Sequence, residues 1–354
     1  MAYTVVDDPS AFFQAKLWTG NGGTQSITFD GLNDMQPDFV WIKSRSASEH
    51  PVLHDSVRGA NYQLYSNQTA AESNYSGRVT AFNSNGFSIG GDNEVNQSSQ
   101  TYASWSWKAG TAFTNDASST SVGSIDSAGS INTTAGFSVI TYSGSDGTET
   151  VAHGLSAVPD WIWFKRRNAT KNNLAYHSAL GNTSSIYMDN TSAASTDYDY
   201  FADTSPTSSV MTIKKDEDYD EVNANGGTFV AWCFSSVQGF SKISSYKGNG
   251  NADGAFVYTG FNPAMVIIRQ SDASGEGWHI FDNKRSGING DMERLLGNSS
   301  NAESDYGANI DFLSNGFKVR TTDAGANASG QIYIFMAFAE ATFVTSGGVP
   351  STAR

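Results

Sequence analysis

Residues 158–167 read VPDWIWFKRR: a proline, an apolar run of strand length, and then a group of cations. An apolar run of this length, bounded by a turn signal, is typical of a strand that is buried on both faces. Proline suits the first residue of such a strand, where its missing N–H breaks no ladder hydrogen bond. The pattern returns twice, as QPDFVWIKSR at residues 36–45 and NPAMVIIRQ at residues 262–270. The chain therefore carries one central-strand signal three times.

The sequence around this strand is also repeated three times, in constant order. An aromatic residue and a glycine-rich turn come before it, as WTGNG (18–22), YSGSDG (142–147) and YKGNG (246–250). A loop of Asn, Ser, Thr and Ala follows it, as SNQTAAES (66–73), DNTSAAST (189–196) and GNSSNAES (297–304). An aromatic strand closes each copy, as YASWSWK (102–108), FVAWCFSS (229–236) and YIFMAFAE (333–340). Copies of roughly 100 residues predict domains, because solenoid repeats run roughly 20–50 residues.

Turn signals separate short apolar or alternating runs throughout each copy. Ser-Asn-Gly triplets in AFNSNGFSIG (81–90) and DFLSNGFKVR (311–320) predict hairpins. We therefore predict an all-β fold of three tandem antiparallel β-sandwich, jelly-roll-like domains. The predicted domains are residues 1–110, 136–238 and 239–354, the last with a C-terminal tail. A Ser/Thr/Gly-rich linker is predicted at 111–135, and the one expected helical turn lies at 292–296.

Charge and cysteine content restrict the classes of function. The formal net charge is −14, which argues against nucleic-acid binding because that requires a basic surface. We expect no membrane insertion, because no apolar run approaches the roughly 20 residues that a span needs. Cys233 is the single cysteine, which leaves no partner for a disulfide within the chain. We expect it to be a small buried apolar residue. The N-terminal residues lack the features of a signal peptide, which predicts assembly in a cytoplasm.

The ionisable residues form no recognisable catalytic pattern. The five histidines are His50, His54, His153, His177 and His279, with His54 and His177 at roughly equivalent places. His54, Asp55 and Ser56 are adjacent, and neighbours on a strand point to opposite faces, so they cannot form a triad. We expect no catalytic residue, no cofactor and no metal site, and a protein that is not an enzyme. The acidic run at 216–221 is expected to be a solvated loop, and whether it binds calcium stays open.

Two further sets of residues recur at equivalent positions. The aromatic and apolar residues of the central strand are predicted to fill the core; a sugar-stacking platform is the alternative. They are Phe39, Trp161 and Met265, and, two residues later, Trp41, Trp163 and Ile267. The cations at the end of this strand are expected to face solvent; pairing with acidic loops of the same chain or of another subunit is the alternative. They are Lys43, Arg45, Lys165, Arg166, Arg167 and Arg269.

The strings DDPSAFFQAKLWTGNG (7–22), QPDFVWIKSRS (36–46), SNQTAAES (66–73), DFLSNGFKVRTTD (311–323) and FMAFAEATFVTSGGVPSTAR (335–354) carry a family resemblance. The chain resembles tail-fibre-like and other virion structural proteins of marine tailed bacteriophages, including podoviruses and myoviruses of cyanobacteria. The resemblance covers the whole chain and supplies no catalytic residues. The second copy departs from it, with SPTSSVMTI (205–213) in place of the SNGF hairpin.

The resemblance implies a bacteriophage virion structural protein, most simply a tail fibre or tail-associated appendage that contacts the host cell surface. The alternative is a capsid decoration or head-fibre protein bound to the capsid lattice. A depolymerase is a third, weaker alternative. The expected partners are other virion proteins, a homo-oligomer with a trimer favoured, and a host surface glycan or protein. The expected location is the virion, after assembly in the host cytoplasm.

Overall fold

The structure is a computed structural model that describes residues 3–217, 219–285, 289, 292–304, 310–345 and 347–349. Across these residues the fold is built from antiparallel sheets, and the predicted all-β, sandwich-like fold class is confirmed. The helical segments in the described part are single turns: a 3-10 turn at Pro9–Ala11, α1 (Asn93–Asn96), α2 (Ala117–Thr120) and α3 (Ala324–Asn327). None of the helices found there is long and apolar enough to cross a membrane.

The first repeat consists of a large and a small sheet. Its strands are β1 (Phe13–Thr19), β2 (Gln25–Ile27), β3 (Phe39–Ser44), β4 (Val52–Asp55), β5 (Tyr62–Tyr65), β6 (Ser73–Asn74), β7 (Val79–Asn83), β8 (Gly86–Ile89) and β9 (Thr101–Trp107). The large sheet has the order β1-β9-β3-β4-β5-β6, and the small sheet has the order β2-β8-β7. The SNG hairpin predicted from the sequence is β7–β8, and this prediction is confirmed.

The second repeat keeps this plan, but its large sheet gains two strands at one edge and has one fewer at the other, and its small sheet has two strands instead of three among the described residues. Its strands are β10 (Thr111–Asn115), β11 (Ser127–Asn132), β12 (Phe137–Ser143), β13 (Thr148–Ala152), β14 (Trp161–Arg166), β15 (Asn173–His177), β16 (Ile186–Tyr187), β17 (Val210–Lys214) and β18 (Thr228–Phe234). The large sheet has the order β10-β11-β12-β18-β14-β15-β16, and β13 pairs with β17 in the small sheet.

The third repeat returns to the plan of the first. Its strands are β19 (Ser241–Lys247), β20 (Phe256–Tyr258), β21 (Phe261–Gln270), β22 (His279–Asp282), β23 (Leu295–Leu296), β24 (Ile310–Leu313), β25 (Gly316–Val319) and β26 (Ile332–Thr342). The large sheet has the order β19-β26-β21-β22-β23, and the small sheet has the order β20-β25-β24. The hairpin β24–β25 confirms the second SNG prediction. The helical turn expected at 292–296 is wrong, because Leu295 and Leu296 form β23.

Strand register shows that the repeats are equivalent. The central strands β3, β14 and β21 each lie beside the closing strand of their own copy. Trp41 pairs with Trp105, Trp163 with Trp232, and Ile267 with Met336. The prediction that each proline is the first residue of its strand is wrong, because Pro37 and Pro159 lie two residues before their strands and Pro263 lies within β21 at an irregularity of register.

The segment predicted as a linker is part of the second repeat. β10 pairs with β11, and β11 pairs with β12 along its free edge. Gly129 shows how close this approach is, since a Cβ there would lie 1.8 Å from the carbonyl oxygen of Val139. The linker prediction for residues 111–135 is therefore wrong. Small residues allow close pairing here, and backbone hydrogen bonds hold the segment in the sheet.

One hydrophobic core is shared by all three repeats. It contains the inner-face residues of the three large sheets, including Trp41, Trp105, Trp163, Trp232 and Ile267, all at most 2% exposed. The prediction that the repeated positions are core positions is confirmed. Separate clusters fill the space between large and small sheets in the first and second repeats. Because the central core is continuous, the division into three independent domains stays a prediction.

Candidate functional site: the interfaces between the repeats

The buried charges of the protein concentrate where one repeat meets the next. We call the three Asn/Ser/Ala segments at residues 66–73, 189–196 and 297–304 the interface loops. Each runs beside the end of another repeat's central strand. The loop of the first repeat contacts the second repeat. The loop of the third repeat contacts the first repeat, and the loop of the second repeat contacts the third repeat. These are the first, second and third interfaces, and together they close a pseudo-threefold ring.

Backbone hydrogen bonds fix each interface loop on its neighbour. At the first interface the Glu72 amide donates to the Arg167 carbonyl at 2.7 Å. At the second the Glu303 amide donates to the Arg45 carbonyl at 2.6 Å. At the third the bond runs from the Ala194 amide to the Ser271 carbonyl at 2.8 Å. The three loops thus lie at the edges of interfaces.

The strand-end cations Lys43, Lys165 and Arg269 are buried in these interfaces, at most 1% exposed. Lys43 Nζ donates to the Ser300 carbonyl at 2.9 Å, and Lys165 Nζ donates to the Gln68 carbonyl at 3.3 Å. Each accepting carbonyl belongs to the interface loop of another repeat. The third interface has the same contact, in which Arg269 Nη2 donates to the Ser192 carbonyl at 2.6 Å.

For these three residues the prediction that the cations face solvent is wrong, because loop carbonyls replace water around them. Burial lowers the pKa of Lys43 and of Lys165 to about 8. It lowers the pKa of Arg269 to about 10. The direction is that expected for a cation removed from water. The alternative of pairing within the chain describes Arg45, Arg166 and Arg167, which form ion pairs with acidic residues.

A chain of charged residues crosses the first interface. Trp232 of the second repeat donates its indole N–H to Asp55 Oδ2 of the first repeat at 3.2 Å. Arg58 Nε pairs with the same carboxylate oxygen at 2.6 Å, and Arg58 Nη1 pairs with Glu72 at 2.9 Å. Glu72 then pairs with Arg167 of the second repeat at 2.7 Å. The Arg58 guanidinium also lies 5.6 Å from the centre of a Trp232 ring.

The second interface repeats this chain with the same residue types. Trp105 of the first repeat donates to Asp282 Oδ2 of the third at 3.0 Å. Arg285 Nε pairs with Asp282 at 2.7 Å, and Arg285 Nη1 pairs with Glu303 at 2.9 Å. Glu303 pairs with Arg45 of the first repeat at 2.7 Å. Because all five positions carry the same residue types in the same order, we treat each chain as one network.

The third interface has lost the network as a set. Register places His177 where the others have aspartate, since His177 pairs with Trp161 as Asp55 pairs with Phe39. Leu180 stands three residues later, in place of arginine, and is packed against the shared core. Met336 replaces tryptophan, and Ser271 replaces the arginine that follows the central strand. Burial lowers the pKa of His177 to about 4, so this interface holds a neutral imidazole at pH 7.

The remaining histidines are separate from one another and serve as hydrogen-bonding residues. His54 Nδ1 lies 2.8 Å from the Ala60 carbonyl, and His153 Nε2 lies 3.0 Å from the Thr207 carbonyl. His50 contacts the Asn67 amide, and His279 lies 3.6 Å from Glu276. Burial lowers the pKa of His54 to about 3. The predicted equivalence of His54 and His177 is wrong by one residue, because His54 pairs with Val40.

The acidic run at 216–221 is largely tied to the second repeat. Asp216 Oδ2 accepts the Asp199 amide at 2.9 Å, and Asp220 pairs with Arg166 and Lys171. Glu221 is buried and accepts the Tyr200 hydroxyl at 3.1 Å. The expected solvated loop is therefore wrong for residues 220 and 221; residue 218 lies outside the described residues. In the described ranges no group of three or more His, Cys, Asp or Glu residues is placed to hold a metal ion.

Cys233 lies in β18 with its side chain fully buried. Burial raises the pKa of the thiol to about 12, so it is protonated at neutral pH. The interpretation of Cys233 as a small core residue is confirmed.

The networks have a signal in the amino-acid sequence. Asp-x-x-Arg occurs in DSVR (55–58) and DNKR (282–285), and Ala-Glu-Ser ends the interface loops at 71–73 and 302–304. The second repeat has HSAL (177–180) and AST (194–196) instead. The Asp, Arg and Glu are present together in two repeats and absent together from the third. That co-occurrence indicates contact between the two segments.

Comparison with known proteins places the chain in a family. The search of curated proteins and the search of solved structures each found no match. The model of a family described as a domain of unknown function, DUF7483, matches residues 8–342. This one match spans all three repeats, the whole ring of interfaces and the shared core. The chain therefore belongs to the DUF7483 family.

Proposed function

We propose that the protein is a structural component of a bacteriophage virion, a tail fibre or tail-associated appendage that contacts the host cell surface. The sequence resemblance to virion proteins is the starting point. The observation that carries the proposal is the use of buried charge. Arg58, Arg285, Asp55 and Asp282 are almost fully buried in the interface networks. Charge placed in this way fixes the positions of the repeats relative to one another.

A rigid scaffold suits an appendage that must transmit contact at its surface to the rest of a particle. Each repeat is held on its neighbour by backbone bonds and by the shared core. The interface loops contact the neighbouring repeats. Host contact therefore falls to the outer faces of the sheets and to the other loops.

Homotrimers are common among phage appendages, and a homotrimer is part of the proposal. The pseudo-threefold ring inside one chain offers a second route to the same symmetry. Light scattering on the purified protein separates the two. A mass of three chains supports the trimer, whereas a mass of one chain means that the three repeats supply the threefold arrangement by themselves.

The second candidate is a decoration or head-fibre protein on the capsid lattice. The pseudo-threefold ring favours this candidate, because a lattice with local threefold positions would accept one chain at each of them. Partners in either case are other virion proteins, and the outer surface would contact a host glycan or protein.

Quantitative mass spectrometry of purified virions tests both candidates. A few to tens of copies per particle supports the appendage, hundreds support the decoration protein, and absence from intact virions overturns both. Locating the chain in a reconstruction of the intact particle gives the same answer in space. Incubation with host polysaccharide should release no reducing ends, and their release would indicate a depolymerase instead.

A further inference from the structure

The outer faces of the small sheets differ between the repeats. Register aligns β20–β25 of the third repeat with β2–β8 of the first, because Val257 pairs with Phe317 as Ile27 pairs with Phe87. The residues on either side of Val257 point outward: Phe256 is 48% exposed and Tyr258 is 55% exposed. They are the only exposed large apolar residues, among those described, that lie two apart on one strand.

The first repeat has no aromatic residue on this face. Ser26 and Thr28 occupy the positions of Phe256 and Tyr258, and both are exposed. Ser88 lies beside Ser26, with the two hydroxyl oxygens 3.4 Å apart. Aromatic side chains are therefore not required for this sheet to form. Their presence in the third repeat needs another explanation than folding.

Charged side chains border the two aromatic residues of the third repeat. Lys318 is paired with Phe256 across the strands, and its Nζ lies 2.5 Å from Asp253. Arg320 pairs with Asp253 at 3.0 Å and with Asp311 at 2.6 Å. This group holds two cations and two carboxylates, so its formal charges cancel. Together with Phe256 and Tyr258, these four residues form what we call the aromatic face.

The shape of the aromatic face is fixed by its backbone and by a neighbouring tyrosine. Gly316 pairs with Tyr258, and a Cβ there would lie 2.2 Å from the Val257 carbonyl oxygen. The position must therefore be glycine, because the neighbouring strand approaches too closely for any side chain. The Tyr3 hydroxyl donates to the Gly260 carbonyl at 2.8 Å and lies 3.4 Å from the Tyr258 hydroxyl. The N-terminal segment thus places a second tyrosine hydroxyl beside that of Tyr258.

We propose that the aromatic face binds an uncharged saccharide, an inference that rests on the proposed host-contacting function and gives it a site. A sugar ring presents C–H groups that pack on exposed aromatic rings. Its hydroxyls both donate and accept hydrogen bonds, which matches carboxylates beside Lys and Arg. The balanced local charge and the net charge of −14 both favour a neutral ligand over a polyanion.

The test uses an array of immobilised bacterial polysaccharides, neutral and anionic, probed with the purified full-length chain. The test variant is Phe256→Ser with Tyr258→Thr, which installs the residues that the first repeat carries at the same positions. The matched control is Ser26→Ala with Thr28→Ser on the first repeat. We expect neutral polysaccharides to bind, at least a tenfold loss in the test variant, and no change in the control, with unchanged thermal unfolding in both.

Three results would overturn the inference: no neutral polysaccharide binds, binding is confined to anionic ones, or the test variant binds as the wild type does. Binding of the test variant to purified virions provides a further arm. If Phe256→Ser with Tyr258→Thr abolishes incorporation into virions but leaves sugar binding unchanged, the face docks a protein and the saccharide inference fails. A virion protein that binds no sugar refutes the inference alone, whereas a sugar binder absent from virions refutes the proposed function alone.

Discussion

Replacing Arg58 by leucine removes the centre of the first interface network. The Arg58 side chain is 0% exposed, and its partners Asp55 and Glu72 have side-chain exposures of 0% and 9%. Leucine is compatible with this position, because Leu180 occupies the equivalent position in the third interface. The variant thus tests charge, since the fold already accepts the shape.

The cost follows from what is left behind. Without Arg58, the Asp55 carboxylate keeps the Trp232 indole N–H but loses its buried cation. Removing one partner of a buried pair typically costs about 3–5 kcal/mol, because the other charge remains without compensation. Changing the four charged residues of the network to those of the third interface, with Trp232 retained, removes that charge. We therefore expect Asp55→His, Arg58→Leu, Glu72→Ser and Arg167→Ser together to be about 2 kcal/mol more stable than Arg58→Leu alone.

Equilibrium urea unfolding followed by tryptophan fluorescence measures both free energies. Lys284→Leu is the control, since its side chain is 37% exposed and that of its partner Asp30 is 52% exposed; it should cost at most about 1 kcal/mol. A cost of Arg58→Leu no greater than that of the control would contradict a penalty for the uncompensated Asp55 carboxylate. A fourfold variant no more stable than the single one would show that the network does not act as a unit.

Three further predictions use the same structure. The pKa values of His54 and His177 in the fold are about 3 and about 4, below the ordinary value of 6.5. Unfolding therefore takes up protons below pH 6.5, and thermal melts should show stability that falls as the pH is lowered toward 4. The dependence of stability on pH should be weaker in His177→Asn. The pKa values of Lys43 and Lys165 are about 8 in the fold, so that unfolding takes up protons between pH 8 and 10. The free energy of unfolding should therefore rise with pH over this range. Lys43→Met should make this rise smaller. Residues 239–345 expressed alone should show no cooperative thermal transition by circular dichroism, because their core is shared with the other repeats; a sharp transition would mean that the third repeat folds independently.

The strands were predictable because their signals are local. An apolar run bounded by proline, or a Ser-Asn-Gly triplet between apolar residues, specifies β3, β14, β7–β8 and β24–β25 without information from elsewhere in the chain. The prediction of a linker at residues 111–135 was wrong for a physical reason. Edge strands are held by backbone hydrogen bonds, and Ser, Ala and Gly supply these as well as any residue does. Composition alone cannot distinguish such a strand from a flexible linker.

The interfaces were harder to predict because their groups come from different repeats. Lys43 ends a strand and looks like a solvated cation, yet its partner carbonyl is at residue 300. Polar loops are usually surface loops, but a polar loop also offers the carbonyl oxygens that a buried cation requires. The spacing of Asp55 and Arg58, repeated in Asp282 and Arg285, was the usable signal. It identified a pair but not the Trp indole that reaches it from another repeat.

The three repeats provide an internal comparison that separates structural constraint from functional specialisation. The residues of a buried contact between repeats change together. Two interfaces have Trp, Asp, Arg, Glu and Arg, and the third interface has Met, His, Leu, Ser and Ser at the same places. On the exposed outer faces no such buried set is required, and Ser26 and Thr28 of the first repeat correspond to Phe256 and Tyr258 of the third. A buried charge cannot be altered alone without an energetic penalty, whereas an exposed aromatic residue can be gained at little cost to the fold. The exposed positions of the outer faces are therefore the ones at which selection for binding has had freedom to act, and the aromatic face of the third repeat lies at such positions.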